Sequence, residues 1–256
     1  MSTESEAFTF DAGPGAEATM LLCHGFTGDP SSLRPWGEHL REAGYNVVCP
    51  LLPGHALPWR ELAKTRWPEW YAAIERALDT ALDFGRPVFA GGLSMGGTLA
   101  LRLAEHRGGE LSGLVLVNPA IYDDKPHGFL APVLRHFVPS VGAIGSDLAK
   151  PDVREKASDR TPLAAFASVR RLWKTTRTEL PRVTVPIRIF TSAVDHVVHP
   201  RNSAVVRAGV RSKDVESTVL PRSYHVATLD YDAETIFSGT VEFMTRQLAK
   251  TRGAHD

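Results

Sequence analysis

Two hydrophobic rhythms alternate along this chain. Short apolar or strand-like runs fall at residues 18–23, 46–51, 87–92, 114–118, 186–192 and 215–220, with 8–10 as a further candidate edge strand. Runs of this length suit strands buried on both faces. Between them, apolar residues recur at helical spacing. Leu33, Trp36, Leu40 and Ala43 share one face, with Gly44 as the stop. Ile74, Leu78, Ala81 and Leu82 mark a second helix, and Phe237, Val241, Met244 and Leu248 a last one. The alternation predicts an α/β fold, with a mostly parallel central sheet covered by helices on both faces.

One interval breaks the rhythm. No good strand is evident between Asn118 and Pro186, where 122–138 and 163–178 carry helical patterns among Gly- and Pro-containing stretches. A connection that long in a compact domain needs structure of its own. The expectation is a small helical cap insertion at 121–182 over a core built from 1–120 and 183–256. A plain crossover helix with a loop is the simpler alternative.

Composition acts mainly by exclusion. Acidic and basic residues balance at 29 each in 256 residues, so no charge bias points to nucleic acid or an anionic membrane. The apolar runs are strand-sized, shorter than the ~20 residues of a membrane-spanning helix, so no stable membrane anchor is expected. The start, Met1-Ser2-Thr3-Glu4-Ser5-Glu6, lacks the basic and apolar regions of a signal peptide. Cys23 and Cys49 lie in apolar runs, which favours buried reduced thiols over a disulfide. These features predict a cytoplasmic protein. There is no H-E-x-x-H, no cysteine pair at zinc-ligand spacing and no G-x-G-x-x-G after a strand. No metal or cofactor is therefore expected. The oligomeric state stays open.

The chemistry concentrates at Gly92-Leu93-Ser94-Met95-Gly96, a G-x-S-x-G between a strand-like run and a helical pattern. A strand entering and a helix leaving would set Ser94 on a sharp turn with its hydroxyl raised at the sheet edge. A serine hydroxyl needs a base in hydrogen-bond reach, and the base needs a partner that fixes its tautomer. The chain order expected for this architecture is serine, acid, histidine. Asp195 follows the fifth core run and His225 follows the sixth, so both fall beyond carboxyl ends of strands. Asp123 and Asp124 are rival acids, and Asp230 reads as a cap for the last helix. His55, His196 and His199 are loop histidines better read as structural or solvated. The loop His24-Gly25-Phe26-Thr27-Gly28 follows a strand, and its Phe26 N–H pairs with that of Met95 as a candidate oxyanion hole.

Taken together, Leu21-Leu22-Cys23-His24-Gly25-Phe26-Thr27-Gly28, Gly91-Gly92-Leu93-Ser94-Met95-Gly96-Gly97 and His225-Val226-Ala227-Thr228-Leu229-Asp230 resemble the α/β-hydrolase superfamily. Within it they look like small bacterial carboxylesterases and monoacylglycerol lipases. Pro53-Gly54-His55 and Asp195-His196-Val197-Val198 fit the same pattern. The resemblance implies serine hydrolysis of carboxylic esters through an acyl-enzyme, under a helical cap. It makes Ser94 the nucleophile, Asp195 the acid, His225 the base, and Phe26 and Met95 the oxyanion hole. The expected substrates are small esters of short- to medium-chain acyl groups, with monoacylglycerols as a candidate. Thioester hydrolysis, C–C hydrolysis and perhydrolysis use the same scaffold, and a non-catalytic binding protein is a rival of another class. Tyr224 departs from the pattern, since such enzymes commonly carry a small residue before the histidine.

Overall fold

The computed structural model describes residues 5–123, 138–143 and 146–253. Seven strands form one sheet: β1 (Phe8–Phe10), β2 (Thr19–Cys23), β3 (Asn46–Cys49), β4 (Val88–Leu93), β5 (Gly113–Val117), β8 (Ile187–Ser192) and β9 (Val215–Leu220). Their order is β1-β3-β2-β4-β5-β8-β9, and every neighbouring pair is parallel except β1 with β3. All seven strands coincide with the apolar runs of the sequence. Parallel strands need crossovers. These are α1 (Arg34–Glu42), α3 (Trp67–Leu82), α4 (Met95–Arg107), α5 (Leu163–Glu179) and α6 (Arg201–Gly209), with a short α2 (Trp59–Leu62) and a closing α7 (Ala233–Gly253).

Alternation along each strand divides the core into two layers. Leu21, Ala90, Leu114 and Leu116 point to the face covered by α3, α4 and α5. Met20, Leu22, Phe89, Val115 and Val117 point to the face covered by α1 and α7. Gly44 ends α1 as expected, at φ 88. The Tyr45 N–H reaches the Leu40 carbonyl at 3.0 Å and the Gly44 N–H reaches that of Arg41 at 3.0 Å, the paired bonds of a left-handed glycine stop.

Two expectations change. The interval after Asn118 contains strand after all: β6 (Ser140–Gly142) pairs antiparallel with β7 (Arg160–Pro162). Three residues apiece are too few for apolar alternation to mark them. Arg160 secures the pair, donating to the Ser140 hydroxyl at 2.7 Å and its carbonyl at 3.2 Å. Asp230 is also not a cap for α7, which begins three residues later at Ala233. Its buried carboxylate instead accepts N–H groups of Ala149, Lys150 and Tyr224, at 2.7, 3.1 and 2.9 Å. The expected helix at 163–178 is present as α5, lying against α3 and α4. The helical pattern at 122–138 falls almost wholly outside the described residues.

Candidate active site

Parallel β4, β5, β8 and β9 end on one edge of the sheet, and the site is assembled there. Ser94 follows β4 directly and holds φ 56, ψ −117, a backbone conformation that L-residues rarely adopt. It is locked from both sides. Its N–H donates to the Val117 carbonyl at 3.0 Å, and its carbonyl accepts from Thr98 at 3.2 Å and Ala120 at 3.3 Å. The flanking glycines are required by a close approach rather than by the turn alone. A Cβ on Gly92 or Gly96 would collide with the Cys23 carbonyl of β2.

Asp195 lies in the loop after β8 and His225 in the loop after β9. The two side chains meet, His225 Nδ1 to Asp195 Oδ2, at 2.7 Å. Both are nearly excluded from water, with side-chain exposures of 9% and 2% for His225 and Asp195. The other oxygen of Asp195 accepts the N–H groups of Val197 and Val198, at 2.9 and 2.7 Å, which fixes its rotamer. Burial alone would lower the His225 pKa. The charge and hydrogen bond of Asp195, with help from Glu155 and Asp147, outweigh it and raise the pKa above the ordinary value.

Met95 is the first residue of α4, where helical N–H groups have no intrahelical acceptor and the helix dipole favours negative charge. The loop carrying Phe26 runs beside Ser94, close enough that a Cβ on Gly25 would sit 3.6 Å from the serine Cβ. The Phe26 ring packs among His55, Trp70 and Phe166, with centroids 6.2, 5.9 and 6.3 Å away.

The remaining histidines and rival acids find other places. His55 is buried, which lowers its pKa to about 3, so its ring stays neutral. His24 is likewise lowered to about 4 by burial, and its Nε2 accepts the Leu52 N–H at 3.1 Å. His199 Nδ1 accepts the Arg201 N–H at 3.1 Å at the start of α6. His196 is exposed and meets Asp147. Asp123 lies after β5, whereas the ring nitrogen of His225 that an acid would hold is taken by Asp195; Asp124 lies outside the described residues. Tyr224, the departure before the histidine, places its ring edge-on against His196 with centroids 4.7 Å apart.

Two residues of the site went unremarked in the sequence. Asn118, at the end of β5 with φ 44, donates to the Ser192 hydroxyl and to the His225 carbonyl, each at 2.9 Å, and accepts the Ser192 N–H at 2.8 Å. It ties the β5 end beside Ser94 to the loop of His225. Its only sequence signal is a polar residue ending an apolar strand. Glu155 approaches the Phe26 loop so closely that a Cβ on Gly28 would lie 2.7 Å from its Oε1. Burial, reinforced by Asp29 and opposed by His225, raises its pKa to about 7. No motif marked it.

One further cluster has metal-ligand chemistry. Glu105, His106 and Glu179 bring ligand atoms within 4.8 Å of one another on α4 and α5. Arg102 already sits between the two carboxylates, 2.7 Å from Glu105 and 3.0 Å from Glu179, which makes the cluster an ion-pair network.

Comparison with known proteins agrees with this architecture. The family model described as serine aminopeptidase, S33, matches residues 14–232. A thermostable monoacylglycerol lipase of Bacillus sp. (strain H-257) is 39% identical over 247 residues, covering 94% of this chain and 95% of the lipase. A carboxylesterase of Bacillus subtilis (strain 168) is 24% identical over 240 residues, covering 93% and 96%. A solved structure described under LipS and LipT, two metagenome-derived lipolytic enzymes, aligns with a TM-score of 0.91 at 32% identity, covering 95% of this chain and 98% of that one.

Proposed function

We propose that this chain, which belongs to the serine aminopeptidase S33 family of α/β-hydrolases, cleaves carboxylic esters of short- to medium-chain acyl groups, monoacylglycerols among them, through an acyl-enzyme. The observation that carries the reading is the buried His225–Asp195 pair at 2.7 Å, on the sheet edge where Ser94 is held at positive φ between strand and helix.

In this reading the Ser94 hydroxyl attacks the ester carbonyl and His225 Nε2 takes its proton. Asp195 holds the other ring nitrogen as a donor and stabilises the imidazolium. Negative charge on the carbonyl oxygen is met by the N–H groups of Met95 and Phe26. Collapse of the tetrahedral intermediate expels the alcohol, which receives the proton from His225. Water, activated by the same imidazole, then releases the acid and regenerates Ser94.

Residues 121–182 serve as the cap, with α5 as its base. Phe166 on α5 lies beside Phe26, and this pair supports an apolar acyl wall next to the oxyanion hole. Glu155, whose carboxyl lies against Gly28 of the Phe26 loop, offers an acceptor for the hydroxyls of a polyol leaving group. A cytoplasmic location fits two buried, unbridged cysteines. Among the described residues no helix is long and apolar enough to cross a membrane.

The test is a hydrolysis panel of p-nitrophenyl esters, monoacylglycerols and acyl-CoA thioesters at matched chain lengths, with aminoacyl p-nitroanilides as the arm suggested by the family's description. Turnover greatest on the oxygen esters is the expected result. A preference for the anilides or thioesters, or no turnover at all, would overturn the reading.

A further inference from the structure

We propose that Asp147 is a positioning residue for the triad, clamping the loop of the acid and the loop of the base in one register. This rests on the roles proposed for Ser94, Asp195 and His225.

Acid and base come from different loops, one after β8 and the other after β9. Their 2.7 Å contact demands that two independent stretches of backbone agree to within a fraction of an ångström. Asp195 has its rotamer fixed by N–H groups of its own loop, but that does not set where the loop stands relative to His225. Asp147, from the stretch between β6 and β7, reaches both. Its Oδ2 accepts the N–H of His225 at 3.2 Å and the N–H of His196, next to the acid, at 3.0 Å. Its Oδ1 meets His196 Nδ1 at 2.8 Å, and its own carbonyl accepts the Val226 N–H at 3.1 Å. The side chain is only 14% exposed, so these bonds form where water competes poorly.

The His225 residue is thereby gripped at both ends. Asp147 takes its N–H and Asn118 donates to its carbonyl. A second staple runs in parallel two residues on, where Asp230 accepts from Ala149, Lys150 and Tyr224. The stretch before β7 is thus part of what aligns the catalytic loops, besides any covering role. Asp147 also contributes charge. The groups that hold the imidazole's proton are Asp195, Glu155 and Asp147, so removing one carboxylate makes the base lose its proton at lower pH.

The experiment compares Asp147→Ala and Asp147→Asn with the wild type, using p-nitrophenyl butyrate across pH, with circular dichroism to establish folding. Asp147→Ala is expected to lose kcat on the scale of a 1 Å misplacement, up to ~10²-fold, with KM little changed. Asp147→Asn keeps an oxygen for both backbone N–H groups and gains a donor for His196. It should recover most of kcat, while its kcat/KM acid limb moves to lower pH. A folded Asp147→Ala with wild-type kcat overturns the proposal, as does a loss that Asp147→Asn fails to recover. If Asp147→Ala does not fold, the acid limb of Asp147→Asn decides alone, and an unmoved limb overturns the proposal. Inactivity of the wild type would instead overturn the esterase reading beneath it.

Discussion

In the proposed mechanism turnover depends on the Ser94 oxygen, which the His225–Asp195 pair would make reactive. Ser94→Ala should abolish nearly all hydrolysis while the protein stays folded, a loss on the order of 10⁶ in kcat. A sulfonyl fluoride should label Ser94 alone, and mass spectrometry that finds the label elsewhere counts against the nucleophile. Asp195→Asn keeps the size of the side chain but turns a donor toward Nδ1, favouring the wrong tautomer. About 10⁴ in kcat should be lost. Asp123→Asn should cost far less, and a reversed order of sensitivity would move the acid to the β5 loop. These residues were readable because each carries a positional signal, the elbow motif for Ser94 and chain order for Asp195 and His225. Asn118 and Asp147 carry none. An asparagine ending a strand and an aspartate in a loop acquire their roles only from what the fold brings opposite them.

Helix α5 divides its apolar stripe between two tasks. Val169 and Leu172 are buried against the core, while Phe166 remains partly exposed beside Phe26. Leu172→Ala should therefore cost stability, about 2–5 kcal/mol by denaturant titration, and leave chain-length preference unchanged. Phe166→Ala should shift the preferred p-nitrophenyl ester toward another acyl length with a smaller loss of stability. An unaltered length profile in a folded Phe166→Ala would remove α5 from acyl selection. Leu163, Phe166, Val169 and Leu172 recur at helical spacing, but spacing alone does not separate core from pocket, because both are apolar. The companion stripe formed by Phe129, Leu130, Val133, Leu134 and Phe137 lies outside the described residues; Tyr122, which opened it, is half-buried against the core. Strands β6 and β7 were missed for another reason. Three residues apiece show no alternation, and the bond from Arg160 to Ser140 joins residues 20 apart in the chain.

Across the whole molecule, stability is tied to pH by buried groups with opposite shifts, Glu155 and His225 raised, His24 and His55 lowered. Burial lifts Glu155 from 4.5 to about 7, and His225 is also raised. Both groups hold protons more tightly in the folded chain than in the unfolded one. The His225 contribution is fully present below its unfolded value and is lost as pH rises through the folded value. The Glu155 contribution is lost between about 4.5 and 7. The share of stability held by Glu155 and His225 should thus fall across the range in which kcat/KM climbs, against the rise that buried, neutral His24 and His55 contribute as pH approaches 6.5. The slope of calorimetric Tm against pH between those limits should be more positive in Glu155→Gln than in the wild type. The kcat/KM acid limb of Glu155→Gln should also move to lower pH, because a charge that helps raise the His225 pKa is gone. Parallel Tm slopes would count against the raised carboxyl.

The sequence alone determined the seven strands of the main sheet, the strand-to-helix turn at Ser94 and the two loops that bear Asp195 and His225. Each rests on a local rule: burial on both faces makes apolar runs of the central strands, a close backbone approach demands glycine, and a parallel sheet sends its loop residues to one edge. Tertiary structure alone decided where the other carboxylates go. Asp147 reaches the backbone of His225, Asp230 the segment behind it, and Glu155 the loop of Phe26. Nothing in the sequence distinguishes these three carboxylates from the others. Their roles diverge because hydrogen bonding and burial act at about 3 Å, a range set by how distant segments pack rather than by the neighbours each residue has along the chain.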